Sequence, residues 1–384
     1  MLCLSLPATL WAEGGHDSAS DTPDMMSEDY IRAGLIVINP ADEVYSLFGH
    51  CAIRLHCPSN AMDYCFTFET STDTRGYLRF LQGTAKGGFL ASRTADYLEA
   101  YRQAGRSVTE YRLNLTPKEK LDLWRTIDEE IGKGYCNQYG YMNTQCTSML
   151  ICVVNRALGT RIKYRLSEAD STRTFRDVMR EAARSYPWSE FFWQTLMGPD
   201  GDLTRPMAHK QTPLSLPDAW RQATIGSEQR TLITGDGEQL VEAPASAGPG
   251  WFTPTLMGLL LLIAAIAVTW AERVRGMRRT ALITDIVLLA IHTAISAALI
   301  WLVVFSEQEG TSWNWYLPAY NLLPLLLWLC LPRWRRAVCG CTAAVMALTI
   351  VATPFIAQLD LPHALITAVF ALRLASRATP LPQR

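Results

Sequence analysis

The chain of 384 residues has room for one large domain or two ordinary ones; 49% of it is apolar and only 18% is charged. Thirty-five basic residues against 36 acidic ones leave a net charge of −1, so nucleic-acid binding has no electrostatic footprint. Charge is unevenly spread: residues 13–250 hold 25 Lys/Arg and 31 Asp/Glu, whereas residues 251–384 hold 10 and 5. That asymmetry describes a polar outer domain followed by a membrane domain.

Residues 1–12 (MLCLSLPATLWA) form a short apolar run ending in a small residue, which reads as the remnant of a secretory signal peptide. A mixed domain is expected over 28–198. Ile31–Ile38, Ser46–Leu55 and Tyr64–Phe68 read as strands of an antiparallel meander, with a turn at Pro58-Ser59-Asn60. Gly76–Leu81 and Ala95–Gln103 read as helices, and Val108–Leu113 alternates as a strand. Thr116 is placed to cap a helix with Pro117 at its first position and Glu119 at its third. Cys146–Leu158 reads as a further helix that opens after Asn143-Thr144 and stops at Gly159. Residues 199–250, rich in Pro, Gly and Thr, read as an irregular arm.

The membrane domain is expected over 251–384, with apolar spans at about 253–271, 281–305, 317–331, 337–357 and 361–375. Loop charge orients them. Arg273, Arg275, Arg278 and Arg279 crowd one loop, and Arg333, Arg335 and Arg336 another, whereas Ser306–Tyr316 and Gln358–His363 hold no Lys or Arg. Basic loops stay in the cytoplasm, so five alternating spans place residues 13–250 outside it. Asp285 and Asp360 fall near span ends, where an ionisable group costs little. Asn314 and Asn321, at the outer end of the third span, are candidates for lining a lipid-facing cleft.

Cys146 stands out among the outer cysteines, because the dipole of the helix it opens favours a thiolate. His50, preceded by Gly49 and set in a strand, is the candidate base. A thiol on a helix N-terminus against a histidine on a sheet is the papain arrangement, here with the histidine first in sequence. Cys57 and Cys65 flank a tight turn and would be able to pair across it. Cys152 reads as a packing residue. His50, Cys51, His56, Cys57 and Cys65 lack a C-x-x-C pair, so no metal site is expected.

Several of these residues fall into one familiar pattern. Phe48-Gly49-His50-Cys51-Ala52-Ile53-Arg54-Leu55, then Gly83, Arg106-Ser107-Val108, Leu113-Asn114-Leu115-Thr116, Tyr141 and Cys146-Thr147 follow in order. Over about residues 28–375 the chain resembles the lipoprotein N-acyltransferase family of Bacteroidetes. One departure is that Gln145 stands where that family would have Asn, with Asn143 two positions further back. The resemblance implies an α+β permuted papain-like ectodomain of the cell-wall amidase/papain superfamily, followed by an all-α transmembrane domain of about five helices.

It also implies a reaction. Cys146 would take an acyl chain from a membrane phospholipid as a thioester and pass it to the α-amine of the diacylglyceryl-cysteine that opens a bacterial lipoprotein. His50 would shuttle the protons, Gln145 and Asn143 would serve the oxyanion, and Asp63, Tyr64 or Glu69 would orient His50. Arg106, with Asn314 and Asn321, would contact substrate. The expected partners are the phospholipid donor and the diacylated apolipoprotein; no cofactor and no nucleic acid are expected. The place of action would be the inner membrane, with the catalytic domain in the periplasm. Two other readings compete: a membrane-tethered thiol peptidase or amidase acting on cell-wall peptide, and a non-catalytic sensor or scaffold.

Overall fold

The computed structural model describes residues 25–41, 46–70, 76–159, 162–165, 172–203, 211–243, 250–329 and 332–379. The signal remnant expected over 1–12 lies outside these. The outer domain is built on β1 (Arg32–Ile38), β2 (His50–Cys57), β3 (Met62–Thr70), β4 (Lys86–Arg93), β5 (Val108–Arg112) and β6 (Asn137–Gln138). A short pair, β7 (Thr224–Ile225) and β8 (Arg230–Thr231), precedes β9 (Glu238–Val241). The main sheet runs β6-β4-β3-β2-β1-β5-β9, with every pairing antiparallel.

Strand alternation sorts the side chains into two cores. Leu35, Val37, Ile53, Leu55, Phe66 and Phe68 project to one face. They pack under two helices, α3 and α4. The intervening order is α1 (Gly76–Gln82), α2 (Thr94–Gln103), α3 (Pro117–Gly132) and α4 (Cys146–Ala157). Ile36, Ile38, Ala52 and Cys65 project to the other face, against Tyr97 of α2. Helix α3 starts as its sequence dictates: Thr116 accepts from the Glu119 N–H, and the Glu119 carboxylate returns the bond to the Thr116 N–H at 2.7 Å. β4 was not legible as a strand. Its Gly87-Gly88 pair carries no side chains to alternate, yet both glycines sit in the ladder opposite Thr70 and Glu69.

Within the stretch expected as an irregular arm over 199–250, residues 211–243 hold regular elements. After α5 (Phe175–Ala183) and α6 (Pro187–Leu196), α7 (Leu216–Gln222) buries Trp220 completely in the main core, and β9 extends the sheet beside β5. Proline-rich composition hid these short elements because none is long enough to show a period.

In the helical region that follows, three helices among the described residues are long and apolar enough to cross a membrane: α8 (Pro254–Arg275), α9 (Arg278–Phe305) and the helical run Arg335–Phe355. Between them lies α10 (Leu326–Leu329); α11 (Arg335–Ala352) makes up most of the third run, and α12 (Leu361–Ala378) packs against α8 and α11. Helix α12 is partly polar because Arg373 and Arg377 bind Glu272 of α8 and Asp285 of α9, which locks three helices at one end.

The segment expected as a span over 317–331 is not one helix. Turns run to Tyr320, a 3-10 turn covers Leu323–Leu325, and α-helix is described over Leu326–Leu329. Pro318 and Pro324 remove two N–H donors, and Asn321 instead accepts from the Leu323 N–H at 2.9 Å. Unwound backbone at this depth needs partners inside the protein. His292 supplies one, its Nε2 standing 3.0 Å from the Ala319 carbonyl.

The outer loop 306–316 seats on the ectodomain. Gln308 Nε2 donates to the Phe80 carbonyl (2.8 Å), Asn314 Nδ2 to that of Thr195 (2.7 Å), and Gly198 N–H to that of Gly310 (2.7 Å). The loops free of Lys and Arg thus face the outer domain.

Candidate active site

Cys146 is the first residue of α4 and 6% exposed. Its helix is capped by Gln145, not by Asn143 or Thr144. The Gln145 Oε1 accepts the Thr147 N–H at 2.8 Å, while Ser148 Oγ accepts the Gln145 N–H at 3.0 Å. Glutamine reaches this far because its backbone is extended at φ −119°, a cap conformation normally filled by shorter side chains. Helix α4 lies on the β2–β3 face, so that Cys51 Sγ stands 3.7 Å from Thr147 Oγ1.

His50 opens β2. Gly49 before it has φ +78°, and a Cβ there would come 2.5 Å from the Ile38 carbonyl, so only glycine brings the strand in at this angle. The His50 Nε2 lies 2.6 Å from Thr67 Oγ1. Thr67 spends its own proton on the Cys51 carbonyl, at 3.2 Å, so it accepts from the ring and Nε2 carries the proton. Glu69 Oε1 stands 3.5 Å from the same nitrogen.

The electrostatics of the two groups are reciprocal. The Cys51 thiol, as a hydrogen-bond donor, holds the Cys146 thiol well below the ordinary range; burial opposes this, and the His50 charge and hydrogen bond reinforce it. Burial alone would push His50 down, yet the Cys146 thiolate beside it, with a smaller contribution from Glu69, keeps it well above its ordinary value. Burial, followed by the neighbouring Cys146, pushes the Cys51 thiol well up, so Cys51 stays protonated and able to donate. The arrangement favours a thiolate–imidazolium pair, which is a nucleophile with its proton carrier in place.

Both groups line a cavity of about 520 Å³. Eight of the 18 residues in its wall are aromatic, among them Phe48, Tyr77, Phe80, Phe175 and Trp193, so it suits an apolar ligand. Gln145 is also in the wall.

The other expected site residues fall elsewhere. Asp63 does not orient His50: with Glu110 it holds Arg54, at 2.7 to 2.8 Å for Asp63 and 2.6 Å for Glu110. Tyr64 alternates to the opposite face of β3 from Thr67 and Glu69, packing beside Phe66. Of the three proposed orienters only Glu69 is near, and Thr67 is nearer. Thr67 was legible in principle, since strand alternation places it on the face of Glu69 two residues on.

Asn143 acts through its backbone. Its carbonyl accepts from Ser148 Oγ and its N–H donates to Glu309. Arg106 is outside the cavity wall, with Nε on the Asn39 carbonyl at 2.8 Å and its guanidinium over the Tyr101 ring. Asn314 is 2% exposed and bound by Thr195, Tyr316 and Gln358, so it joins two layers of protein and lines no lipid-facing cleft. Asn321 shapes its own turn, donating to the Pro318 carbonyl.

The spare thiols are separate. Cys57 and Cys65 are both free: Cys57 is paired in register with Met62 and Cys65 with Arg54, and they alternate to opposite faces. Cys57 approaches Ser59 and Cys65 approaches Thr94. Cys152 is exposed and does not pack inward.

A mixed domain bearing a Cys–His pair, joined to apolar helices, defines a membrane protein with an outer thiol centre. Residues 26–181 match the family pattern of the Lnb N-terminal periplasmic domain, and residues 246–380 match that of the Lnb transmembrane domain. The chain belongs to the Lnb family, the Bacteroidetes lipoprotein N-acyltransferase family it was seen to resemble, and is a membrane protein with a periplasmic domain. No curated protein and no solved structure matches it.

Proposed function

We propose that this protein is a lipoprotein N-acyltransferase of the inner membrane, crossing it several times and working on its periplasmic side. The observation that carries this reading is the aromatic cavity around Cys146 and His50, sized for an acyl chain and bordered by helix α1. Tyr77 and Leu78 of α1 are 69% and 52% exposed. The Phe80 and Leu81 carbonyls of the same helix accept from Gln308 and Ser306, at the outer end of α9, where Val304 and Phe305 are exposed as lipid-facing residues are. A phospholipid tail reaching over α1 would put its ester next to the thiol.

Cys146 thiolate attacks the ester carbonyl of the donor. The C–O bond breaks as His50 gives its proton to the departing alkoxide, leaving an acyl thioester. The α-amine of the diacylglyceryl-cysteine then attacks the thioester. His50 takes the amine proton, the C–S bond breaks, and an amide and the thiolate result. Thr67 holds the imidazole so that Nδ1 does this work. The Cys146 N–H at the start of α4 and the Gln145 amide NH₂, whose oxygen is occupied by the cap, are suited to the oxyanion. A thiol peptidase would use the same dyad, but a wall of aromatic rings offers a cell-wall peptide few polar partners.

The test is mass spectrometry of a lipoprotein N-terminus from cells whose sole N-acylating enzyme is this chain. A third acyl chain that disappears with Cys146→Ser is the expected result. Diacyl lipoprotein persisting beside well-folded wild-type protein would overturn the proposal.

A further inference from the structure

The loop that delivers the nucleophile is held from the membrane side. Gly140–Gln145 folds back on itself, with Gly140 and Thr144 exchanging backbone hydrogen bonds at 3.1 and 3.2 Å. Two of its amides are then taken by the loop that follows α9. The Met142 N–H and Asn143 N–H both donate to Glu309 Oε2, at 3.1 and 2.8 Å, across 166 or more residues of sequence. Among the described residues no cation pairs with Glu309. Its charge is spent on the loop.

The contact is sterically fitted as well. A Cβ on Gly140 would stand 2.7 to 2.9 Å from the Glu309 carboxyl atoms, so the missing side chain is the space the carboxylate occupies. Glu309 is itself fixed, its N–H donating to Gln308 Oε1 while Gln308 Nε2 holds the Phe80 carbonyl of α1. Tyr141, between these anchors, lines the cavity. Three positions beyond Asn143 comes Cys146.

We infer that Glu309 is a positioning residue. By accepting the Met142 and Asn143 amides, it sets the register of the nucleophile loop, and through it the approach of Cys146 to His50, from the outer end of the membrane domain. The inference rests on Cys146 being the reactive thiol; it does not depend on which acyl acceptor is used. A carboxylate accepting two amides is a rigid fork of charge-assisted hydrogen bonds, and a displaced loop would leave the thiolate without its partners.

The experiment uses the full chain in lipid nanodiscs. Iodoacetamide alkylation of Cys146 is followed against pH by site-resolved mass spectrometry, with exposed Cys136 as internal reference. Glu309→Ala is expected to move the pH midpoint of Cys146 alkylation upward by about one unit, which is roughly tenfold in thiolate at fixed pH. Glu309→Gln, whose amide oxygen still accepts, is expected to stay close to wild type. Wild-type behaviour of Glu309→Ala, or a glutamine variant as impaired as the alanine one, would overturn the inference. If Glu309→Ala fails to accumulate, Gly140→Ala presses on the same carboxylate with its charge retained; it should show the same upward shift, and an unshifted midpoint would be equally fatal. Loss of the N-acylation reading alone would appear as normal alkylation with no acyl transfer, so the two failures are separable.

Discussion

Thr67→Val offers the sharpest view of how His50 is held. Valine keeps the shape of threonine but removes both the acceptor at 2.6 Å from Nε2 and the hydroxyl donated to the Cys51 carbonyl. Thr67 is 1% exposed, so water cannot readily replace it. Leaving one buried donor unmade costs about 1–3 kcal/mol. Carried into a barrier, that is about 5- to 150-fold in rate. The lower end applies if the ring turns to Glu69, 3.5 Å away, and the upper end if it also loses its alignment with Cys146. Cys146 alkylation against pH, together with the rate of lipoprotein N-acylation, measures the effect. Thr67→Ser should recover most of the activity, because the hydroxyl returns. A valine variant with wild-type rate and pH profile would refute the assignment of Nε2 as the protonated nitrogen.

Other expectations concern charge, packing and the membrane face. Because Cys146 is depressed and His50 raised, the reactive pair exists between those two values; alkylation of Cys146 should persist at pH below the ordinary thiol range and fall only in acid. Cys51→Ala removes the largest cause of the depression and should move that acid limb toward higher pH, whereas an unmoved limb would show that Cys51 does not donate. Arg54→Leu leaves Asp63 and Glu110 facing one another; with side chains 33% and 19% exposed, the loss should be about 2 kcal/mol, less than for a fully buried pair, and thermal unfolding would reveal it. Trp193→Ala, removing a 3% exposed ring that meets Phe48, Phe80 and Tyr141, should cost about 3 kcal/mol and shift the transferred chains toward bulkier ones by mass spectrometry. An unchanged chain profile would remove this ring from the acyl slot. Leu78→Glu should slow transfer from vesicle phospholipid while sparing iodoacetamide alkylation; equal loss of both would mean a folding defect in place of a lipid contact.

The meeting of Cys146 and His50 at one cavity was legible because its determinants are local. A cysteine after capping residues and a histidine after a glycine each announce their backbone, and helix α3 announces itself by Thr116, Pro117 and Glu119. The partner of His50 was harder. Residue type makes Asp63, Tyr64 and Glu69 of β3 equal candidates, whereas alternation puts Tyr64 on the far face. Asp63 could not be excluded from sequence, since its attachment to Arg54 and Glu110 depends on strand order. Asn314 and Asn321 looked like cleft residues because hydropathy shows a polar group in an apolar run without showing what it bonds. Glu309 was beyond reach for the same reason. Its role arises only when a loop between spans meets a loop in another domain. The stretch after residue 199 misled by composition: Trp220 and β9 are core elements too short to leave a period.

The wall of the cavity reaches beyond the stretch that holds the thiol and the imidazole. The two family patterns stop at 181 and resume at 246. Phe192, Trp193, Gln211, Thr212 and Pro213, all in the uncovered interval, stand in the wall of the cavity. Thiol, imidazole and the carboxylate under the loop all belong to the covered parts. The slot is therefore drawn from two stretches of the chain: five of its 18 wall residues come from the interval, and the other 13, Phe48, Phe80 and Phe175 among them, lie in the same stretch as the thiol and imidazole.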